Sequence, residues 1–427
     1  MNDFIHLLST RFSNYQQLNE NIFLEEEDLK LTFREAYQII KALGKILKEY
    51  VEHGDRVAIF LPRSAKSAIA IYSILYINAI YVPFNITDPT ERITFLINNT
   101  DPKIIIGKGQ KPIWAKDIIW FNIDEFNWLN YINLEFQLDI QNAKSNLATI
   151  LHTSGSTGTP KGVALSHKAM ITFSDWAGTI FKINSSDIIA NLAPFYFDLS
   201  VFDLYTSFRF GSKLIFIPQY LTLNPVEMTN WILQNGVTVW YTVPSMLAFL
   251  LNKGNISTLV KSNLRLILFA GEPISKQILL DLLEALPNVE FYNLYGPVET
   301  NVCCFWKVNH SLLKELDCIP IGLSACNDEL KIDNDTNTEH LLLDCDLLII
   351  DDLGTEQITN FSKTELFNLL NKKLLRGKKM LVSSNFTLEV LSKTYSERIT
   401  SRLFGNFSLN KFFGEDIRVK RNFNRMK

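Results

Sequence analysis

"LHTSGSTGTPKG", residues 151–162, is the stretch on which the reading of this chain turns. The apolar run "ATILH" (148–152) leads into it and the short run "VALSH" (163–167) comes after it, so it reads as a loop between two strands. Small residues at almost every position let backbone N–H groups approach a polyphosphate closely. The hydroxyls of Thr153, Ser154, Ser156 and Thr157 add donors, and Gly155 and Gly158 supply backbone freedom. Lys161 contributes a mobile positive charge for the same phosphates. A flexible Gly/Ser surface loop is the plain alternative, but ten residues in a specific order argue for a nucleotide loop. The order also departs from G-x-x-x-x-G-K-[ST], because Pro160 precedes the lysine and Gly162 succeeds it.

Outward from the loop, short apolar runs alternate with helical patterns. "RVAIFL", "KIIIG", "KLIFIP", "TVWYTV" and "LRLILFAG" read as buried strands, and "LTFREAYQIIKALGKILKEY" has helical spacing. The expected class is α/β, with layered, mostly parallel sheets covered by helices. Residues 67–84, "SAIAIYSILYINAIYVPF", are the most membrane-like stretch, but Asn78 and Pro83 divide it into a buried helix and a strand. No membrane span is expected. The N-terminus lacks a basic segment followed by an apolar run, which argues against a secretory signal. The five cysteines (303, 304, 318, 326 and 345) form no C-x-x-C pair and read as reduced thiols of a cytoplasmic protein. Net charge is −8 over residues 1–340 and +5 over 341–427. That change of sign, with the polar stretch "KIDNDTNTEH" at 331–340, predicts two units, 1–338 and 339–427.

Further strings point the same way as the loop. They are "LTFREA" (31–36), "GDRVAIFLP" (54–62), "NAIYVPFNITDPTERI" (78–93), "FYFDLSVFDLY" (195–205), "FAGEPIS" (269–275), "NLYGPVET" (293–300) and "PIGLSACN" (320–327). In this order they resemble the motifs of the adenylate-forming (AMP-binding) superfamily, which includes acyl-CoA synthetases, luciferases and the adenylation domains of nonribosomal peptide synthetases. The resemblance covers roughly the first 335 residues. It implies ATP and magnesium as cofactors and a carboxylate attacking the α-phosphate, a reaction that brings two anions together and so needs a metal and cationic groups. Lys161 and Glu299 match the catalytic positions, with Glu299 as the magnesium ligand. Tyr295 matches the aromatic near the adenine, while Gly271, Glu272 and Gly296 lie on loops passing the nucleotide.

Asp198 matches the aspartate that holds the α-ammonium in members activating amino acids, and a helix-capping Asp is the alternative. Carried over residue by residue, the pocket wall is Leu199, Phe202, Tyr241, Leu268, Ala270, Leu294, Val302 and Cys303. It is apolar with one phenol and no second charge. It resembles the free-standing ligases that load L-proline onto a carrier protein through a phosphopantetheine thiol. The D-alanyl carrier-protein ligases are the nearest competitor, since a methylene is worth only about 1–3 kcal/mol in discrimination.

The chain also departs from this pattern. Val298 stands where the family has a threonine, and after residue 339 there is no T-G-D ribose motif, hinge or lid lysine. Activity is expected to be impaired accordingly, because the lid lysine supplies charge stabilisation worth a few kcal/mol. From residue 339 onward the sequence resembles the C-terminal part of bacterial helicase-loader ATPases of the AAA+ class, a partial P-loop-type α/β segment. "DLLIIDDLGTE" (346–356) ends its strand in Asp351 and Asp352, a Walker B-like magnesium pair. Asn385 matches a sensor, Arg398 and Arg402 an arginine-finger helix, and Arg418 a second sensor. No Walker A loop is present in the chain. The basic tail "RVKRNFNRMK" (418–427) makes DNA or a replicative helicase the partner implied for this part. The change near residue 340 reads as a junction of two gene fragments.

Overall fold

The computed structural model describes residues 20–27, 29–131, 146–153, 160–316, 319–325, 347–350, 353, 360–377, 379–382, 384 and 386–407. The chain divides into two compact units, Met1–Leu330 and Lys331–Lys427.

Among its described residues the first unit contains two sheets. Its strands are β1 (Ile22–Glu26), β2 (Leu29–Thr32), β3 (Arg56–Phe60), β4 (Ile80–Pro83), β5 (Ile104–Gly107), β6 (Ile119–Asn122), β7 (Leu147–Thr153) and β8 (Lys161–Ser166). They continue as β9 (Ile188–Asn191), β10 (Lys213–Phe216), β11 (Val239–Thr242), β12 (Leu266–Phe269), β13 (Glu290–Tyr295), β14 (Cys304–Lys307) and β15 (Leu323–Ser324). The smaller sheet has the order β6-β5-β3-β4-β7-β8, and the larger β15-β14-β13-β12-β11-β9-β10-β1-β2. Pairing is parallel except at β7–β8, β1–β2, β13–β14 and β14–β15. The order is that of a layered α/β protein with antiparallel edges.

Local chemistry explains these elements. The helix Phe33–Leu47 starts on a capping box, with Thr32 N–H donating to Glu35 Oε2 at 2.7 Å and Glu35 N–H to Thr32 Oγ1 at 3.2 Å. Phe33, Ala36, Ile40, Leu43 and Leu47 lie buried on its inner face. The helix Ala65–Tyr76 is buried on nearly every side, which accounts for the unbroken apolar run. Among the described residues no helix is long and apolar enough to cross a membrane.

Alternation along β11–β13 separates two cores. Val239, Tyr241, Leu266, Leu268, Tyr292 and Leu294 face the central core, which the helices Phe33–Leu47 and Ala65–Tyr76 also fill. Trp240, Ile267, Phe269 and Phe291 face the opposite way, under the helices Pro225–Gln234, Pro244–Lys253 and Lys276–Ala285. The outer face of the smaller sheet packs Ala58, Val82 and Ile105 against Ile93, Leu96 and Ile97 of the helix Thr90–Thr100. Sheets and helices therefore alternate in five layers.

Among its described residues the second unit has two parallel strands, β16 (Leu347–Ile350) and β17 (Lys379–Val382), connected through the helix Asn360–Leu375. The helices Leu388–Thr394 and Glu397–Asn406 complete a small core of Leu353, Leu370, Leu391, Tyr395, Ile399 and Leu403. Arg402 is tied down within this unit. Its Nε and Nη2 donate to Asn371 Oδ1 at 3.0 and 2.9 Å, and its guanidinium lies 4.4 Å from the Phe367 ring centroid. Arg398, four residues earlier, is exposed. Asp351, Asp352, Asn385, Arg418 and the stretch 331–340 lie outside the described residues.

Candidate functional site

Of the phosphate-loop residues, Thr153 ends β7 and Lys161 begins β8, directly opposite each other in the ladder. Lys161 is exposed. Ser154, Gly155, Ser156, Thr157 and Gly158 lie outside the described residues. At the foot of the loop, His152 packs 6.1 Å from the Phe84 ring. Burial and the charge of Arg92 push its pKa down to about 4, so the imidazole is neutral at pH 7. Gly162 fits tightly here, since a Cβ would come within 2.9 Å of Ile150 Cγ2 and 3.5 Å of His152 Nε2.

Glu299 is exposed on the turn between β13 and β14. Beside it is a cavity of about 310 Å³ lined by Ser166, Lys168, Thr172, Val298, Thr300 and Asn301. Ser166 caps the helix His167–Ile180 by accepting from Ala169 N–H, and Lys168 of its first turn lines this space. Among the described residues no group of three or more acidic, histidine or cysteine side chains could cage a metal. A single carboxylate nonetheless fits magnesium, which is commonly held by one or two carboxylates together with substrate phosphates. Val298 is half-buried and packs on the central core. Its isopropyl group offers no hydroxyl to a phosphate.

The turn's shape is strongly constrained. At Gly296 a Cβ would sit 2.5 Å from the Asn301 carbonyl oxygen and 2.8 Å from Val302 Cα. Gly296→Ala is expected to cost about 1–3 kcal/mol through forced displacement of the turn, measurable by urea unfolding. An unchanged midpoint would contradict the close approach. Asn301 takes a left-handed φ of 62° and its Nδ2 donates to the Asp198 carbonyl at 3.1 Å. This bond links the Glu299 turn to the Asp198 segment. Asn301 lies just beyond the motif "NLYGPVET", and its sole sequence signal is an Asn within a turn.

Asp198 precedes the short helix Leu199–Val201 but makes no side-chain capping hydrogen bond. Helix capping therefore does not explain it. Burial pushes its pKa up to about 6, while the N–H groups of Leu199 and Asp198 pull the other way. Phe202 and Tyr241 meet edge to face at 5.7 Å between centroids, and with Leu268, Ala270, Leu294 and Val302 they belong to one core cluster. Leu199 packs on its margin and Cys303 is half-buried. Tyr295 is exposed at the end of β13. Gly271 has a φ of 88°, which suits glycine, and no other described protein atom crowds it. Glu272 Oε2 accepts from Ser245 N–H at 3.0 Å, at the start of the helix Pro244–Lys253.

A further acidic residue, Asp203, directly follows Phe202. It lies fully buried and near enough to Tyr241 for both Asp198 and Asp203 to raise the phenol's pKa, after burial itself. Asp203 Oδ2 accepts from Asn191 Nδ2 at 2.7 Å, and Arg63 Nη1 donates to the Asn191 carbonyl at 3.0 Å. Arg63 Nη2 donates to the Ile217 carbonyl. Burial holds the Asp203 carboxyl well above the usual range, opposed by Asn191 and Arg63. Asp203→Asn, which resembles the neutral carboxyl, is expected to change stability by less than about 1 kcal/mol, whereas Asp203→Ala should cost about 1–3 kcal/mol by leaving one of the two Asn191 amide hydrogens without its partner, the other being held by the Ala193 carbonyl. Urea unfolding of both variants checks this. A raised acid pKa stabilises the fold at low pH and loses that effect as pH rises through it, a dependence that Asp203→Asn should remove.

A larger cavity in the first unit, about 720 Å³, is lined by Glu26, Arg63, Lys66, Lys108, Asp124 and Tyr220 and contains none of the candidate site residues.

The family model for AMP-binding enzymes matches residues 12–341. An L-proline–[L-prolyl-carrier protein] ligase of Pseudomonas fluorescens is 31% identical over an alignment of 330 residues that covers 73% of this chain and 64% of the relative. A D-alanine–D-alanyl carrier protein ligase of Bacillus thuringiensis is 24% identical over 73% of this chain and 62% of its own length. The chain thus spans less than two thirds of these relatives. Among solved structures, the N-terminal subdomain of Klebsiella oxytoca NpsA in complex with 3-hydroxybenzoyl-AMSN superposes with a TM-score of 0.66 at 18% identity, covering 76% of this chain and 81% of that one. The fold is that of an adenylate-forming enzyme, and the chain belongs to the AMP-binding enzyme family.

Proposed function

We propose that residues 1–338 bind ATP with magnesium and a small apolar amino acid, L-proline before D-alanine, and join them as an aminoacyl adenylate for a carrier protein. The observation that carries this reading is the half-buried Asp198 carboxyl beside the apolar wall of Phe202 and Tyr241, linked through Asn301 to the turn bearing Glu299. Asp198 would hold the α-ammonium, with the wall around the side chain. The substrate carboxylate oxygen attacks the α-phosphorus, the bond to the β-phosphate oxygen breaks, and pyrophosphate leaves. Lys161 and the loop N–H groups would neutralise the phosphates, and Tyr295 and Gly271 would flank the nucleotide. Magnesium, held by Glu299 and phosphate oxygens, would withdraw charge from the reacting phosphoryl group. The phosphopantetheine thiol of a carrier would then displace AMP. A cytoplasmic setting suits the thiols of this chain.

The match to the family model ends at residue 341. Amino-acid-dependent exchange of pyrophosphate into ATP tests the reading. Exchange with L-proline supports it, whereas no exchange with any small amino acid, in protein shown to be folded, contradicts it.

The second unit favours a separate reading, because its parallel strands joined by a helix suit a helicase-loader-like ATPase fragment. Here Arg398 suits a finger better than Arg402, which Asn371 and Phe367 hold. Salt-sensitive DNA binding that vanishes on deleting 418–427 would support this fragment, and salt-independent or absent binding would contradict it. Resequencing across residue 340 tests the gene junction.

A further inference from the structure

Cys303 and Cys304 are consecutive, yet their Sγ atoms lie 3.8 Å apart. On a regular strand, neighbouring side chains point to opposite faces. Here Cys303 occupies the bend just before β14 and escapes that alternation. Its N–H donates to the Tyr295 carbonyl at 2.9 Å, its thiol donates to the same oxygen at 3.4 Å, and its carbonyl accepts from Ala325 N–H at 2.9 Å. Cys304 opens the strand, in register with Tyr295 and Ser324, and is buried. Cys303 is half-buried. A solute therefore reaches the first sulfur while the second waits behind it.

We propose that Cys303 and Cys304 form a vicinal dithiol that a peroxide converts reversibly into a disulfide at the base of the Glu299 turn. The Cys303 thiolate attacks one peroxide oxygen and the O–O bond breaks, leaving a sulfenic acid on Cys303, while the departing hydroxide takes up the proton released from the Cys303 thiol as a first water. The Cys304 sulfur then attacks the Cys303 sulfur and expels hydroxide, which takes the Cys304 proton as a second water. Two thiols are oxidised by two electrons, and the peroxide is reduced to two waters. Closing the ring requires the sulfurs to approach to about 2.05 Å. Consecutive Cα atoms are about 3.8 Å apart, inside the usual lower limit of about 4.4 Å for a disulfide. Such a ring is more easily reduced than an ordinary structural disulfide, which gives the site its reversibility. The inference stands independently of the amino-acid reading.

The sequence provides a clean test. Trypsin should release Gln277–Lys307, a peptide whose cysteines are 303 and 304 and none of the other three. The full chain is treated with hydrogen peroxide, its remaining thiols are alkylated, and this peptide is weighed. Most of it should be unalkylated and lighter than the reduced peptide by two hydrogens, and dithiothreitol should restore its reduced mass. In Cys304→Ala the sulfenic acid on Cys303 should instead persist and be trapped by dimedone. The proposal is overturned if the peptide stays fully alkylated when a small-molecule thiol in the same tube is consumed. It is equally overturned if Cys303 only gains oxygen, or if the peptide is found linked to one carrying another cysteine.

Discussion

Asp198→Asn should lower affinity for the amino acid at least about 100-fold, because removing one member of a buried ion pair costs about 3–5 kcal/mol. The asparagine keeps the shape and removes the charge. The pH dependence gives a second readout. Burial raises the Asp198 pKa to about 6, so below that pH the free carboxyl is neutral and binding an ammonium must first release its proton. Affinity should therefore be flat above pH 6 and fall about tenfold per unit below it. The sign for the unligated fold is opposite. A carboxyl whose folded pKa is raised stabilises the fold below its ordinary value, and that effect is lost as pH rises toward 6. Calorimetric titration between about pH 5 and 8 checks the first effect, and urea unfolding between about pH 3 and 7 checks the second. If Asp198→Asn bound proline as tightly as the parent chain, the ammonium assignment would be wrong.

Lys161→Ala and Glu299→Ala should each weaken ATP–magnesium binding by about 10–100-fold, since a hydrogen bond to a charged group contributes about 1.5–3 kcal/mol. Lys161 is exposed at the start of β8, so its loss should leave folding almost unchanged. Glu299 is exposed on a turn whose shape depends on Gly296 and Asn301, and its removal should likewise spare the fold. Circular dichroism distinguishes lost binding from lost structure. Asp198→Asn should leave ATP affinity nearly intact, so the two sets of variants separate nucleotide from amino acid. ATP affinity unaffected by Lys161→Ala would refute the loop assignment.

These contrasts also mark what was legible in the chain itself. Apolar runs such as "TVWYTV" and "LRLILFAG" became β11 and β12, because buried parallel strands are apolar on both faces. The apolar stretch at 67–84 divided at Asn78, which takes a left-handed φ of 60° between the helix and β4. Asp203 was not legible. The segment Phe202–Thr206 is a π-helical turn, and its wider winding breaks the 3.6-residue periodicity used to assign faces. Nothing in "FDLSVFDLY" reveals that the second aspartate turns to Asn191 and Arg63, residues 12 and 140 positions away. Asn301 escaped notice for a related reason, since its role rests on a backbone conformation and a bond across 103 residues. The proximity of Cys303 to Cys304 likewise depends on where the strand begins, which a sequence resolves poorly.

The most direct test of the central claim is calorimetric titration of the folded chain with a non-hydrolysable L-prolyl-adenylate analogue, alongside Asp198→Asn. Saturable binding at one site in the parent chain, weakened at least about 100-fold in the variant, is the predicted result. No binding to the folded parent chain, or equal binding to both, would contradict it.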